Sequence, residues 1–242
     1  MAYKHGNPPI GTSVFFRIAS ALTFYPIWCV AQFLINGIMH KTRYVNCGIL
    51  RACRRAILVS NHTTFLDPVL MSGAALPHLM WQSLLEPTVE TPFLGTFVRL
   101  LGGFPIPEGV SMQHLQAVCE TGFRYRRFIH FYPEGECYLY NQRIQPFKDG
   151  AFYLSAVMDV PIIPMVTVFS GDFPRPKETL VVLEPVYPAG YIRRNRAGRV
   201  NMQSVREYSD AVRALMQAEI DRRGGTQALF KGRLDRITGI NA

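Results

Sequence analysis

The stretch Ala56-Ile57-Leu58-Val59-Ser60-Asn61-His62-Thr63-Thr64-Phe65-Leu66-Asp67-Pro68 passes from an apolar run into a polar turn and out into an Asp-Pro pair. Consecutive apolar residues followed by a polar cluster read as a buried strand and its exit. On a regular helix, positions five apart point about 140° away from each other. His62 and Asp67 therefore share no helical face and meet only across a strand-to-helix turn. There they form a base and its orienter: the imidazole takes a proton from a hydroxyl, and the carboxylate fixes the tautomer and stabilises the imidazolium that results. The Asp67-Pro68 pair also reads as an ordinary N-cap and first helical residue, with no chemistry attached.

Outward from this turn, strands and helices alternate. Strands are expected over residues 44–47, 56–60, 80–85, 103–106, 128–132, 160–169 and 179–183. Helices are expected over 68–76, 93–101, 111–123, 150–158 and 202–222, the third with Met112, Leu115, Val118 and Cys119 on one side. Such alternation argues an α/β fold, a largely parallel or mixed sheet flanked by helices.

Upstream, residues 18–39 carry no charge, close to the roughly 20 apolar residues that cross a bilayer. Pro26 removes one helical hydrogen bond, so a membrane-embedded helical hairpin bent at Tyr25-Pro26 stands beside a single straight helix. A buried core helix is the alternative without a membrane. His40, Lys41 and Arg43 follow, with Arg51, Arg54 and Arg55 close behind, which fits a cytoplasmic exit or a basic collar on anionic headgroups. The N-terminal dozen residues are too polar for a secretory leader. Three parts are expected: a membrane-anchoring segment over 1–42, the α/β domain over 43–224, and a basic, loosely held tail over 225–242.

A chain of 242 residues suits one such domain. A formal charge of +9, with 48% hydrophobic and only 18% charged residues, favours an anionic membrane surface or an acidic partner over nucleic acid. No RNP-like, helix-turn-helix or finger spacing argues otherwise. Five cysteines without a Cys-x-x-Cys pair indicate neither a disulfide framework nor a zinc ribbon, and point to a reducing compartment. No histidine stands at ligand spacing from another His or Cys, so no metal is expected.

Two more blocks carry information: Phe131-Tyr132-Pro133-Glu134-Gly135-Glu136 and Gln145-Pro146-Phe147-Lys148-Asp149-Gly150. A carboxylate between Pro and Gly at a strand end sits in a tight turn, where Gly135 lets the backbone approach a ligand and Glu134 can accept a hydrogen bond from a substrate hydroxyl. In combination and in order, the blocks resemble the glycerolipid acyltransferase family, typified by lysophosphatidic acid acyltransferases. That family carries Asn-His-x-x-x-x-Asp, a Gly-rich strand block, Phe-Pro-Glu-Gly followed by Pro-Phe-Lys-x-Gly, and Val-Pro-Ile-x-Pro. The similar segments here are 61–67, 102–106, 132–135 with 146–150, and 160–164, and the resemblance covers about residues 40 to 190.

The resemblance implies a membrane-bound O-acyltransferase that moves a fatty acyl group from acyl-coenzyme A or acyl carrier protein to a hydroxyl of a lysophospholipid. His62 would be the base and Asp67 its orienter, with no metal or prosthetic group, because the thioester is already activated. Asn61, Glu134 and Gly135 would shape the acceptor site, and backbone N–H groups near the helix start at Pro68 are candidates to hold the oxyanion. Two departures matter. The family's second block usually ends in Arg and its third reads Glu-Gly-Thr-Arg, both arginines being held to contact the acceptor's phosphate. Here Phe104-Pro105-Ile106-Pro107-Glu108 contains none, and Cys137 stands at the other place. Arg99, Arg143 and Lys148 remain as nearby positive charge, and an acceptor without a phosphomonoester is equally compatible. A catalytically silent lipid-binding relative and a thioesterase are the other classes, separated by whether an acyl thioester yields nothing, free acid or a product lipid.

Overall fold

All five residues of the first central strand are buried, as an apolar run covered on both faces requires. The computed structural model describes residues 3–4, 6–34, 42–107, 109–171 and 176–234. In chain order the elements are α1 (Val14–Leu34), β1 (Thr42–Val45), α2 (Gly48–Ala52), β2 (Ala56–Ser60), α3 (Asp67–Ala75), β3 (Met80–Leu85), α4 (Glu86–Glu90), α5 (Leu94–Leu100), β4 (Gly103–Ile106), α6 (Met112–Phe123), β5 (Phe128–Phe131), β6 (Tyr138–Leu139), α7 (Gly150–Met158), β7 (Ile162–Ser170), β8 (Lys177–Val182), α8 (Met202–Arg222) and β9 (Gly232–Arg233).

Seven strands form one sheet in the order β1-β8-β7-β2-β5-β3-β4. β2 runs parallel to both β5 and β7, and β3 parallel to both β5 and β4. β8 is antiparallel to β7 and carries β1 parallel to itself, so the sheet is mixed. The reversal falls where the connection between strands is too short for a crossover helix. Side chains divide by the period of two. Ile57 and Val59 pack with Ile129, Phe152 and Tyr208 on the face covered by α6, α7 and α8. Ala56 and Leu58 pack with Leu70, Met71 and Ala74 on the face covered by α3. Because β2, β5 and β3 are parallel, their carboxyl ends lie along one edge, where sheets of this kind collect ligands.

α1 runs unbroken through Pro26, so a single helix forms rather than two short helices meeting at Tyr25-Pro26. The helix is held on both sides of the proline. Phe16, Ser20 and Phe24, four residues apart, are buried. Ser20 donates to the carbonyl of Leu100 and accepts from Arg126, and Tyr25 donates to the carbonyl of Pro77. The opposite side of α1 is apolar and exposed: Phe15, Ile18, Leu22, Val30 and Phe33 all face outward. Val14–Ala31 is long and apolar enough to cross a membrane. His40 and Lys41 lie outside the described residues.

The expectation of a loosely held tail is corrected over residues 226–234. Thr226 donates to the carbonyl of Phe169, Leu229 is buried, and β9 pairs antiparallel with β6. The basic composition reported the exposed side chains and missed the backbone pairing.

Candidate active site

The residue that organises the site is Asp67, and the N-cap reading of it is corrected. Leu66 occupies the N-cap, Asp67 is the first residue of α3, and its carboxylate turns back over the loop it has just left. Oδ2 accepts from the Thr63 and Thr64 amides at 2.6 and 2.9 Å and lies 2.8 Å from His62 Nδ1. Oδ1 accepts from the hydroxyls of Thr64 at 2.8 Å and Thr63 at 3.3 Å. Asp67 is fully buried, a position a carboxylate holds only when surrounded by donors. An acceptor-only partner forces the imidazole to present Nδ1–H to it, which leaves the lone pair on Nε2. The turn thus brings together two residues that a helix would have kept apart.

The His62 side chain keeps 22% exposure, enough for a reactant to reach it. Burial pulls its pKa down, but the hydrogen bond and the charge of Asp67 outweigh that, and the net shift is upward from 6.5. Its ring stacks on Tyr132 with centroids 4.0 Å apart and 20° between planes. Tyr132 in turn meets His130 edge-on, centroids 4.5 Å apart. His130 is wholly buried, with Nε2 2.8 Å from the Ser60 hydroxyl. Burial, and then the neighbouring charge of His62, push it down to about 3, so it stays neutral and does not compete as a base.

Glu134 brackets the site from below the strand ends. Oε1 accepts from the His62 amide at 3.1 Å and Oε2 from the Gln145 amide at 2.9 Å, so one buried carboxylate ties the His62 loop to the loop that leads into α7. Burial raises it to about 7, against the opposing pull of the Gln145 and His62 amides. Both oxygens are engaged by backbone, which makes Glu134 a brace of the loops. Gly135 has φ +74°, and a Cβ there would lie 2.6 Å from Lys148 Nζ, so the exposed Lys148 side chain lies across this turn. Arg143 is exposed on the same loop, between the anchored Asn141 and Gln145.

Two expected residues, Asn61 and Arg99, are placed elsewhere or used otherwise. Asn61 exchanges both its amide groups with the Thr167 backbone, donating at 3.0 Å and accepting at 2.9 Å, and so fastens the end of β2 to β7. Arg99 is buried and donates to the carbonyls of Pro8 and Pro9 with its guanidinium against Tyr3 and Phe16, holding the N-terminal segment. The first N–H groups within α3 are committed: Asp67 to Thr64, Val69 and Leu70 to Leu66, and Pro68 has none. These amides are spent within the turn and the helix. Sequence reasoning missed Thr63, Thr64 and Tyr132. The two threonines sit inside the motif, and Tyr132 follows His130 at the strand period, so a signal existed for those three.

A mixed α/β sheet with a His-Asp pair at the carboxyl ends of its parallel strands is an arrangement that can activate a hydroxyl by a general base. The Acyltransferase family model matches residues 41–168, over half of the chain, and the chain belongs to that family. It is 27% identical over 125 residues to the 1-acyl-sn-glycerol-3-phosphate acyltransferase of Saccharomyces cerevisiae, covering 50% of this chain and 41% of that one. To the human 1-acyl-sn-glycerol-3-phosphate acyltransferase beta it is 31% identical over 152 residues, 58% of this chain and 54% of that one. The chain spans about half the length of these curated relatives. Among solved structures, PlsC of Thermotoga maritima, a 1-acyl-sn-glycerophosphate (LPA) acyltransferase, superposes with a TM-score of 0.55 over 86% of this chain and 96% of that one. At 16% identity this is a likeness of fold.

Proposed function

We propose that this protein is a membrane-associated O-acyltransferase that transfers a fatty acyl group from acyl-coenzyme A or acyl carrier protein to a hydroxyl of a lysophosphatidate-like lysophospholipid. The observation that carries this reading is the 2.8 Å contact of His62 Nδ1 with Asp67, inside a carboxylate cradle that leaves Nε2 as the base. Nε2 takes the proton of the acceptor hydroxyl, the oxygen attacks the thioester carbonyl, and the imidazolium is stabilised by Asp67 until the thiol leaves. No metal or prosthetic group has a role in this chemistry. The name of the family supports acyl transfer, and the names of the yeast and human relatives support the acceptor class, lysophosphatidate being 1-acylglycerol-3-phosphate.

The exposed apolar side of α1 supports attachment to a membrane, and a net charge of +9 supports its anionic, cytoplasmic face. Lys148, across Gly135, and Arg143 on the same loop are the cations proposed to meet an acceptor phosphate, since Arg99 is turned away. The test is detergent-purified protein given labelled acyl-coenzyme A or acyl carrier protein with lysophosphatidate and with lyso-lipids lacking a terminal phosphate. Labelled phosphatidate that disappears in His62→Ala supports the reading. Free acid only, or no turnover with any pair, overturns it.

A further inference from the structure

Asp67 pins only one corner of the His62 imidazole. The 2.8 Å contact at Nδ1 sets where that nitrogen lies, and the ring plane is left to another contact, because the outer torsion of a histidine is broad. Tyr132 makes that contact: the two rings lie face to face, centroids 4.0 Å apart and planes 20° apart. The sheet builds this stack. β2 and β5 run parallel with Leu58 level with His130, so the period of two carries Ser60 and His62 at one strand exit, and His130 and Tyr132 at the other, onto the same face. One step below the stack, the Ser60 hydroxyl meets His130 Nε2 at 2.8 Å, and the His130 ring stands at 90° to Tyr132. The backbone that carries Tyr132 is fixed as well. Its carbonyl accepts from the Gly135 amide at 3.0 Å, and the next carbonyl, of Pro133, accepts from the Lys148 amide at 2.8 Å.

The Tyr132 hydroxyl plays no part in this. It is buried and has no hydrogen-bond partner among the described residues, and a hydroxyl in that state weakens a fold rather than holding it. What the site uses of Tyr132 is therefore its ring. An aromatic face carries negative electrostatic potential and attracts a cation laid against it, most strongly where water is excluded. His62 becomes such a cation when Nε2 takes the proton of the acceptor hydroxyl.

We infer that Tyr132 is a positioning residue for acyl transfer: its ring holds the plane of the His62 imidazole so that Nε2 is aimed at the acceptor hydroxyl, and its face stabilises the imidazolium that forms in the transition state. The inference rests on the acyl-transfer reading and adds to it a second support for the base, at right angles to the first. Asp67 acts in the plane of the imidazole through a full charge, and Tyr132 acts across that plane through the quadrupole of its ring. Asp67, Glu134 on the His62 amide, and the neutral His130 beside Tyr132 are untouched by the variants that test it.

The experiment uses the full-length protein in detergent, with Tyr132 replaced by Leu, by Phe, and by phenylalanines carrying one, two and three ring fluorines. Fluorine withdraws charge from the face of a ring while leaving the ring in place. Two quantities are read: kcat on its alkaline plateau with saturating long-chain acyl-coenzyme A and lysophosphatidate, and the pKa of the His62 imidazole, followed by nitrogen NMR without substrate. Tyr132→Leu should lose about ten- to thirtyfold in kcat with KM little changed. Tyr132→Phe, the conservative variant, should restore what Tyr132→Leu loses, with a melt unchanged or raised. Along the fluorine series kcat and the His62 pKa should fall together, step by step. A series flat in either readout overturns the inference and leaves acyl transfer standing. Tyr132→Phe as slow as Tyr132→Leu also overturns it, because the hydroxyl would then be what matters. Wild-type protein that transfers no acyl group to any lyso-lipid overturns the acyl-transfer reading, and this role with it. The fluorinated rings keep the packing, so the question is decided even where Tyr132→Leu folds poorly.

Discussion

Asp67→Asn separates charge from geometry in this site. In the native turn, Oδ2 meets three nitrogen donors and Oδ1 only the two threonine hydroxyls. An asparagine can place its oxygen where Oδ2 was and its NH₂ against the hydroxyls, which can turn to accept. The fold and the Nδ1–H tautomer are then kept, and what disappears is the negative charge beside the imidazolium. A charge pair of this kind at about 4 Å and an effective dielectric near 20 is worth about 4 kcal/mol. At about 1.4 kcal/mol per decade, the expected loss in kcat is about 10³-fold. A second signature follows from sign. Asp67 is what holds the His62 pKa above 6.5 against burial, so the acid limb of the pH–rate profile should lie above 6.5 in the wild type and move to lower pH in the variant. The assay is initial rate against pH with saturating donor, with a thermal melt beside it. A variant that melts normally and turns over within about tenfold of wild type, or whose acid limb does not move, would refute the reasoning.

Other outcomes follow from the same geometry. His62→Ala should remove about 10² to 10⁴ in rate with an unchanged melt, since neutral His130 cannot substitute. Glu134 has a folded pKa near 7 against an ordinary 4.5, so the stability it contributes is fully present below 4.5 and is lost as pH rises through about 7. Urea midpoints measured across that window should decline in the wild type and flatten in Glu134→Gln. Leu22→Asp, on the exposed side of α1, should lower sedimentation with anionic vesicles by roughly ten- to a hundredfold, from the roughly 1.5–3 kcal/mol that a leucine contributes on burial. Retention unchanged by Leu22→Asp, yet released by high salt, would assign attachment to the basic surface instead. Arg143→Ala and Lys148→Ala should raise KM for lysophosphatidate and leave it unchanged for a lyso-lipid without a terminal phosphate.

The sequence by itself determined the features whose signal is local. Ala56 to Ser60 is a strand because unbroken apolar character with a β-prone composition fits only a position covered on both faces, and α3 begins where Asp-Pro opens a helix. The pairing of His62 with Asp67 was legible because five residues at a strand-to-helix turn leave few ways to meet. Short elements such as α2, α4, β6 and β9 were not, since a period cannot be read in two to five residues. Tertiary structure decided everything that depends on segments approaching from far along the chain. Asn61 could be assigned to β7 only once Thr167 lay beside it, and Glu134 to two backbone amides only once the His62 loop and Gln145 closed on it. Arg99 left the list of site cations because the N-terminal prolines claimed it. The segment after Gly135 reached the His62 turn because the Tyr138 and Tyr140 amides hydrogen-bond to the backbone of residues 62 and 63, a contact spanning more than seventy residues that no local pattern encodes.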